Sequence, residues 1–407
     1  MKDPSIMPTA AHRPPSTGEQ QLLTAFGQDK LLIELGWAHW LDVQAPYATT
    51  PYTTRDVTAR YARNGYDWDI HGTLYEPARE AKPGVGFVLF HGGAGSEKEL
   101  LETPDGRPGL GAVLAAQGFR CLAITYPGHY PPGGAWTESV AERQPWYLLD
   151  RKLPIEEIRA RNIRCTFNTI LQGAGLLTDQ HMAGYDLLSF GHSTGGPMSI
   201  DLHRFLTRSR IIGIVGWASG GPDGWALEWT DWTGARPPQV HPLELFARRD
   251  APSFRAAGYE DERDLAPWGG AEEYMVWGDK WKSQMKTALC DNQHCAPIAY
   301  LKQYCELTGL PLEEYIDHLR DPDPNWLAKT GVLLLVGERD KNHWYWGEKI
   351  EHKQEVFIGK KFEMRTPWTK VVLLERYGHF GYVALHNEKI AYTWLHALEA
   401  GYFDFAK

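Results

Sequence analysis

The sequence predicts an α/β fold: a mostly parallel sheet flanked by helices, with an inserted helical cap and an N-terminal extension. Three features of the chain predict it. From residue 84 onward, short apolar runs alternate with stretches of helical length, the pattern of strands buried on both faces and joined by crossover helices. One such run (Leu187, Leu188, Phe190) meets Gly191-His192-Ser193-Thr194-Gly195 and then turns amphipathic, which reads as strand, sharp turn and helix. Between residues 217 and 332 the alternation stops for far longer than one crossover needs.

Taken in order, residues 1–20 are polar and contain proline, as in a surface arm. Leu22, Leu23, Phe26, Leu31, Leu32, Leu35 and Trp37 predict helical pieces over 21–40, broken near Gly27 and Gly36. Tyr66, Trp68, Ile70 and Leu74 alternate with polar residues, the period of a half-buried antiparallel strand. Parallel strands are expected at 86–90, 119–125, the run entering Ser193, 211–217, 332–336 and 371–374. Helices fit around 113–117, over 155–177 with Ile163, Phe167, Ile170 and Leu171 on one face, and over 383–398. After the Gly-rich turn, Met198, Leu202, Phe205 and Leu206 recur at helical spacing, and Pro197 falls in the first turn, where a missing N–H breaks no helical bond.

The long interval holds helical stripes, one of Tyr274, Trp277, Trp281 and Met285, another of Ile298, Leu301, Tyr304 and Cys305. Asp321-Pro322-Asp323-Pro324 closes it with a stiff turn. The organisation that follows is an extension over 1–55, a core over 56–221 and 330–407, and a cap over 222–329.

Composition excludes several functions. A hydrophobic content of 43% and a charged content of 23% are those of an ordinary soluble globule. The net charge of -9, with no Lys/Arg block, argues against nucleic acid and disfavours polyanionic substrates. Five irregularly spaced cysteines are no disulfide framework, so a reducing compartment is the default. Residues 1–20 lack the layout of a secretory signal, and no apolar run approaches membrane-spanning length, so a cytoplasmic protein acting away from membranes is expected. Cys290, His294 and Cys295 cluster like metal ligands, but no fourth donor is close in sequence; neither metal nor cofactor is expected. Arg159, Arg161 and Arg164 read as ion-paired surface. Oligomeric state is left open, a homodimer among the options.

The turn at 191–195 is read as a nucleophile elbow. Glycines at 191 and 195 allow strand and helix to approach where side chains would clash, and Ser193 would stand at the strand's carboxyl end under the positive end of the next helix. A serine hydroxyl attacks only when a base removes its proton, and the base needs a third group to hold its ring. Two later strands end in suitable groups. The run 332–336 leads into Gly337-Glu338-Arg339-Asp340, and 371–374 into Glu375-Arg376-Tyr377-Gly378-His379. Asp340 is preferred as the acid; Glu338 and Asp223 are the alternatives.

In the order Ser193, Asp340, His379 the chain resembles the α/β-hydrolase superfamily over about residues 84–221 and 330–400. His91-Gly92-Gly93-Ala94-Gly95 is similar to that family's His-Gly-Gly oxyanion loop. The resemblance implies an oxyanion held by the backbone N–H groups of Thr194 and Gly93, helped by Ala94. His91 and His192 are expected to anchor and pack rather than react.

Serine at 193 argues against the epoxide hydrolases and haloalkane dehalogenases of the superfamily, whose covalent ester needs a carboxylate nucleophile. Acyl transfer to water remains. Seventeen tryptophans, several crowded into the cap, suggest a large apolar or aromatic substrate; Trp225, Trp277, Trp281 and Trp344 are the candidate contacts, against the plain reading that a cap buries its own core. The expected function is a serine hydrolase cleaving an ester or lactone bond of a bulky hydrophobic or aromatic small molecule. The alternatives are a carbon-carbon bond hydrolase or lyase on the same scaffold, and a non-catalytic small-molecule receptor.

Overall fold

The computed structural model describes residues 13–63, 65–92, 98–103, 106–126, 157, 160, 167–192, 195–217, 329–337, 368–375, 377 and 381–404. Nine strands form a single sheet in the order β1-β9-β8-β7-β6-β4-β5-β3-β2. They are β1 (Leu32–Leu35), β2 (Tyr52–Arg63), β3 (Tyr66–Pro77), β4 (Val85–Phe90), β5 (Arg120–Thr125), β6 (Asp186–His192), β7 (Arg210–Trp217), β8 (Gly331–Gly337) and β9 (Thr369–Leu374). The seven strands other than β2 and β3 run parallel to their neighbours among themselves, while β3 is antiparallel to both β2 and β5.

Each expected parallel run is a strand, and its composition explains why. Every residue of β8 is buried, and β4, β5 and β6 are buried at all but their first position, so both faces must be apolar. At the edge the demand halves. On β2 the buried Val57, Ala59 and Tyr61 alternate with exposed residues, among them Arg60, whose guanidinium bonds the Asp69 carboxylate directly opposite on β3. Charges on an outer strand also discourage pairing with another chain.

Helices cover both faces. On one lie α5 (Phe167–His181) and α6 (Gly195–Asp201), the latter running into a 3₁₀ turn at Leu202–Phe205 (elements in chain order, after α1 to α4 below). Their Ile170, Leu171, Leu177, Met198 and Leu202 share a core with β2 and β3. The opposite core holds α1 (Thr17–Phe26), α2 (Trp37–Asp42), α4 (Leu110–Ala116) and α7 (Glu388–Glu399), with α3 (Lys98–Leu101) beside α4.

Two expectations need correction. Residues 21–40 are not helical throughout, because 32–35 form β1, parallel to β9. Four residues are too few for spacing to separate helix from strand; what decides is that Ile33 and Leu35 point into one core while Leu32 packs against the other. The C-terminal helix begins at Glu388 rather than 383, since His386 has φ 64° and the side chain of Asn387 is bonded elsewhere.

The extension is fastened by buried polar groups. Ser16 caps α1 in a reciprocal box with Glu19, whose carboxylate also accepts from Gln44 N at 2.9 Å and from Arg13. Asp42 accepts from Ser16 Oγ and Gly18 N, both at 2.9 Å. From the other side, Lys389 Nζ donates to Val43 O at 2.6 Å and Lys370 Nζ to Lys30 O at 2.8 Å. The cap expected over 222–329 lies outside the described residues, apart from residue 329.

Candidate active site

Parallel pairing brings the carboxyl ends of β4, β6, β7, β8 and β9 to one edge of the sheet, the place where open α/β sheets bind ligands. Register fixes their level: Phe90 pairs with Gly191, His192 with Trp217, and Gly337 with Leu374. All of the sequence-predicted site residues lie outside the described residues: Ser193, Asp340, His379, Gly93, Ala94, Thr194, Trp225, Trp277, Trp281 and Trp344. The structure describes what brackets the first six. Residues 193 and 194 separate β6 from α6, residue 93 follows Gly92, residue 340 lies just beyond Gly337, and residue 379 falls between Tyr377 and Gly381.

The strand-to-helix turn is as tight as the glycines suggest. A Cβ on Gly191 would come within 2.6 Å of Gly196 Cα, and one on Gly195 within 2.7 Å of the carbonyl oxygens of both Phe90 and His91. No side chain can relieve a clash with backbone, so β6, α6 and the end of β4 meet only because both positions lack one.

At the end of β4, His91 is fully buried. Its Nδ1 lies 2.6 Å from Gly92 O, its carbonyl accepts from Tyr126 Oη at 2.6 Å, and its ring lies against that of Tyr126, tilted by 32° with centroids 4.0 Å apart. His192 likewise packs: its ring lies 4.3 Å from the ring of Tyr382, in the turn Gly381–Val383.

Around the chain entering residue 379 the environment is aromatic. Tyr377 is buried, its ring 5.4 Å from that of Trp37 and edge-on to Trp217 at 5.5 Å. Its phenol donates to Leu385 O at 2.7 Å and accepts from Trp40 Nε1 at 3.4 Å. Burial raises the phenol far above its ordinary pKa, which keeps it a donor. A Cβ on Gly381 would run into the Trp217 indole. Arg107 then ties the segment down, donating to Val383 O at 3.1 Å and to Asn387 Oδ1 at 2.7 Å. Sequence reasoning missed Tyr126, Tyr377, Tyr382, Trp40 and Arg107. The signal available was position alone, since Tyr377 and Tyr382 flank the Gly-His pair after a strand.

The site therefore has an α/β architecture with a glycine-lined strand-to-helix turn at the carboxyl edge of the sheet. Residues 87–391 match the model of a family described as the alpha/beta hydrolase family. The chain belongs to the alpha/beta hydrolase family. Among solved structures, haloalkane dehalogenase DbeA from Bradyrhizobium elkani USDA94 is similar at 12% identity, over 88% of this chain and 100% of that one, with a TM-score of 0.48. MenH from S. aureus is similar at 15% identity, over 81% of this chain and 98% of that one, with a TM-score of 0.43. The comparison with curated proteins finds no match. Among the described residues no helix is long and apolar enough to cross a membrane, and no group of three or more His, Cys, Asp or Glu is placed to hold a metal ion.

Proposed function

We propose that the chain is a serine hydrolase that cleaves an ester or lactone bond of a bulky hydrophobic or aromatic small molecule through an acyl-enzyme. Ser193 is the nucleophile, His379 the base and then the acid, and Asp340 the group that holds the imidazole. The backbone N–H groups of Gly93, Ala94 and Thr194 bind the oxyanion. A cap over 222–329 supplies Trp225, Trp277 and Trp281 to the substrate, with Trp344 beside them. The reaction uses no cofactor and takes place in the cytoplasm. Family membership supports hydrolysis in general; the bond and the substrate are this reading's own.

One observation carries the assignment of Ser193 and His379 to a single site. The ring contact between His192 and Tyr382 joins a residue adjacent to 193 with one three positions beyond 379. Two segments separated by almost half of the chain are thus held together at the carboxyl edge of the sheet.

A fluorophosphonate probe tests the reading. It should label the intact protein and leave Ser193→Ala unlabelled, and aryl esters or lactones should be hydrolysed by the former with a loss of roughly 10⁶-fold in the latter. A protein that ignores the probe and the whole ester and lactone panel is not a serine hydrolase.

A further inference from the structure

The two outer strands end the sheet differently. β2 is long, and its Arg55 and Arg60 bond Glu76 and Asp69 of β3. β1 is short, pairs with β9 on one side, and on the other borders a groove of about 930 Å³. Register decides which backbone groups look into that groove. Leu32 is level with Val371, and Val371 N donates to Leu31 O, so Leu31, Ile33 and Leu35 turn their backbone bonds toward β9. Leu32 and Glu34 turn theirs outward, where among the described residues nothing bonds them. The facing wall of the groove is α1, which lines it with Thr17, Gln20, Gln21 and Thr24 while Leu22 and Phe26 are buried. An extended chain laid there meets main-chain partners on β1 and uncharged amides and hydroxyls on α1.

The side chains of the edge select the occupant. Lys30 and Glu34 are exposed, with half-buried Leu32 midway between them, and among the described residues neither charge has an ion-pair partner. Two copies of this strand, antiparallel about a two-fold axis, match outward groups to outward groups when centred on Leu32, Ile33 or Glu34. Centring on Glu34 opposes two carboxylates. Centring on Ile33 leaves Lys30 opposite Gly36, where the strand has ended. Centring on Leu32 sets that residue against its own copy and places Lys30 opposite Glu34 of the second copy, twice over. Opposite charges facing across antiparallel strands stabilise the pair, and like charges do the reverse.

We propose that β1 is a dimerisation edge, at which two copies pair their β1 strands antiparallel about a two-fold axis through Leu32 and so join their sheets into one. Each β1 then occupies the groove of the other copy. Four paired residues make a small contact, so the α1 stripe of each copy carries part of the interface.

The test is sedimentation velocity in low salt over a roughly hundredfold range of concentration, with thermal melting to show that each variant is folded. The wild type should be a dimer that dissociates on dilution. Lys30→Glu and Glu34→Lys each set like charges opposite at two symmetric places and should each weaken association at least roughly tenfold. The double variant restores opposite charges and should associate within about threefold of the wild type. Leu32→Pro removes an outward N–H and no bond to β9, and should be monomeric. Should it fail to fold, the charge variants carry the comparison. A protein that is monomeric at every concentration overturns the proposal, whether its edge stays open or receives a strand of another protein. So does a dimer indifferent to the single reversals, or a double variant no stronger than either, because the contact would then lie elsewhere or in another register.

Discussion

The rings of His192 and Tyr382 lie with centroids 4.3 Å apart and planes inclined at 43°. Both residues are almost wholly buried, so the contact belongs to the core rather than to a surface. It ties the end of β6 to the turn that follows β9, across β7 and β8.

A contact of this kind has its own coupling energy, which a double-mutant cycle isolates. In urea unfolding of His192→Ala, Tyr382→Ala and the double variant, the coupling should be about 0.5–1.5 kcal/mol, the range of close aromatic pairs. Strictly additive losses would mean that the rings are merely adjacent.

The two elbow glycines differ in kind from an ordinary one. Gly195→Ala places a methyl 2.7 Å from two backbone carbonyls and should cost at least about 1–3 kcal/mol, because backbone must move. Gly27→Ala is the contrast: its φ of -83° suits any residue and the nearest atom is 3.7 Å away. That change should be neutral or stabilise by up to roughly 1 kcal/mol through the unfolded chain. Chemical denaturation of the two variants side by side decides the matter.

How much of this was legible in the sequence follows from where each residue's conformation is decided. Strands buried on both faces announce themselves as apolar runs, and Trp68 and Ile70 announce β3 by alternation, because local pattern and final environment agree. Leu32 to Leu35 defeated the same logic: four residues between two cores satisfy a helix as well as a strand until β9 is beside them. His386 was equally opaque, since its left-handed backbone depends on Arg107 and Pro108 gripping Asn387 from another part of the chain. At the candidate site Gly191 and Gly195 were readable, because the close approach of strand and helix restricts residue type. The supports were not, because Trp40 and Tyr377 are ordinary aromatic residues until the fold brings them together.

Glu19 should dominate the acid sensitivity of the extension. Burial opposes its ionisation, but bonds from Arg13, Gln44 and Ser16 outweigh that and hold its pKa at about 2, below the ordinary 4.5. A carboxylate whose folded pKa is depressed contributes stability that is complete above the unfolded value and is lost as pH falls through the folded one. Glu19→Gln should therefore be less stable by roughly 1–3 kcal/mol at pH 7, a figure already reduced for the half-exposed Arg13 partner. The gap should narrow below about pH 4.5 and close near 2, as read from denaturant midpoints across that range. A gap independent of pH would locate the loss in packing instead.

Asp201, the last residue of α6, has the opposite sign. It is buried, its Oδ1 has no hydrogen-bond partner among the described residues, and only the Arg204 guanidinium, 3.8 Å away, offsets the burial. Burial raises its pKa from 3.8 to about 7. Between those values the folded protein binds the proton that the unfolded chain has lost, so this residue's contribution is most favourable below about pH 3.8, falls as pH climbs, and levels off above 7. Asp201→Asn removes the titration while keeping the shape. The variant should match the wild type near pH 4 and exceed it by roughly 1–3 kcal/mol at pH 8, where the wild type must bury a charge that Arg204 meets only from a distance. Parallel stability curves for the two proteins from pH 4 to 8 would show that Asp201 stays ionised in the fold and that Arg204 compensates it fully.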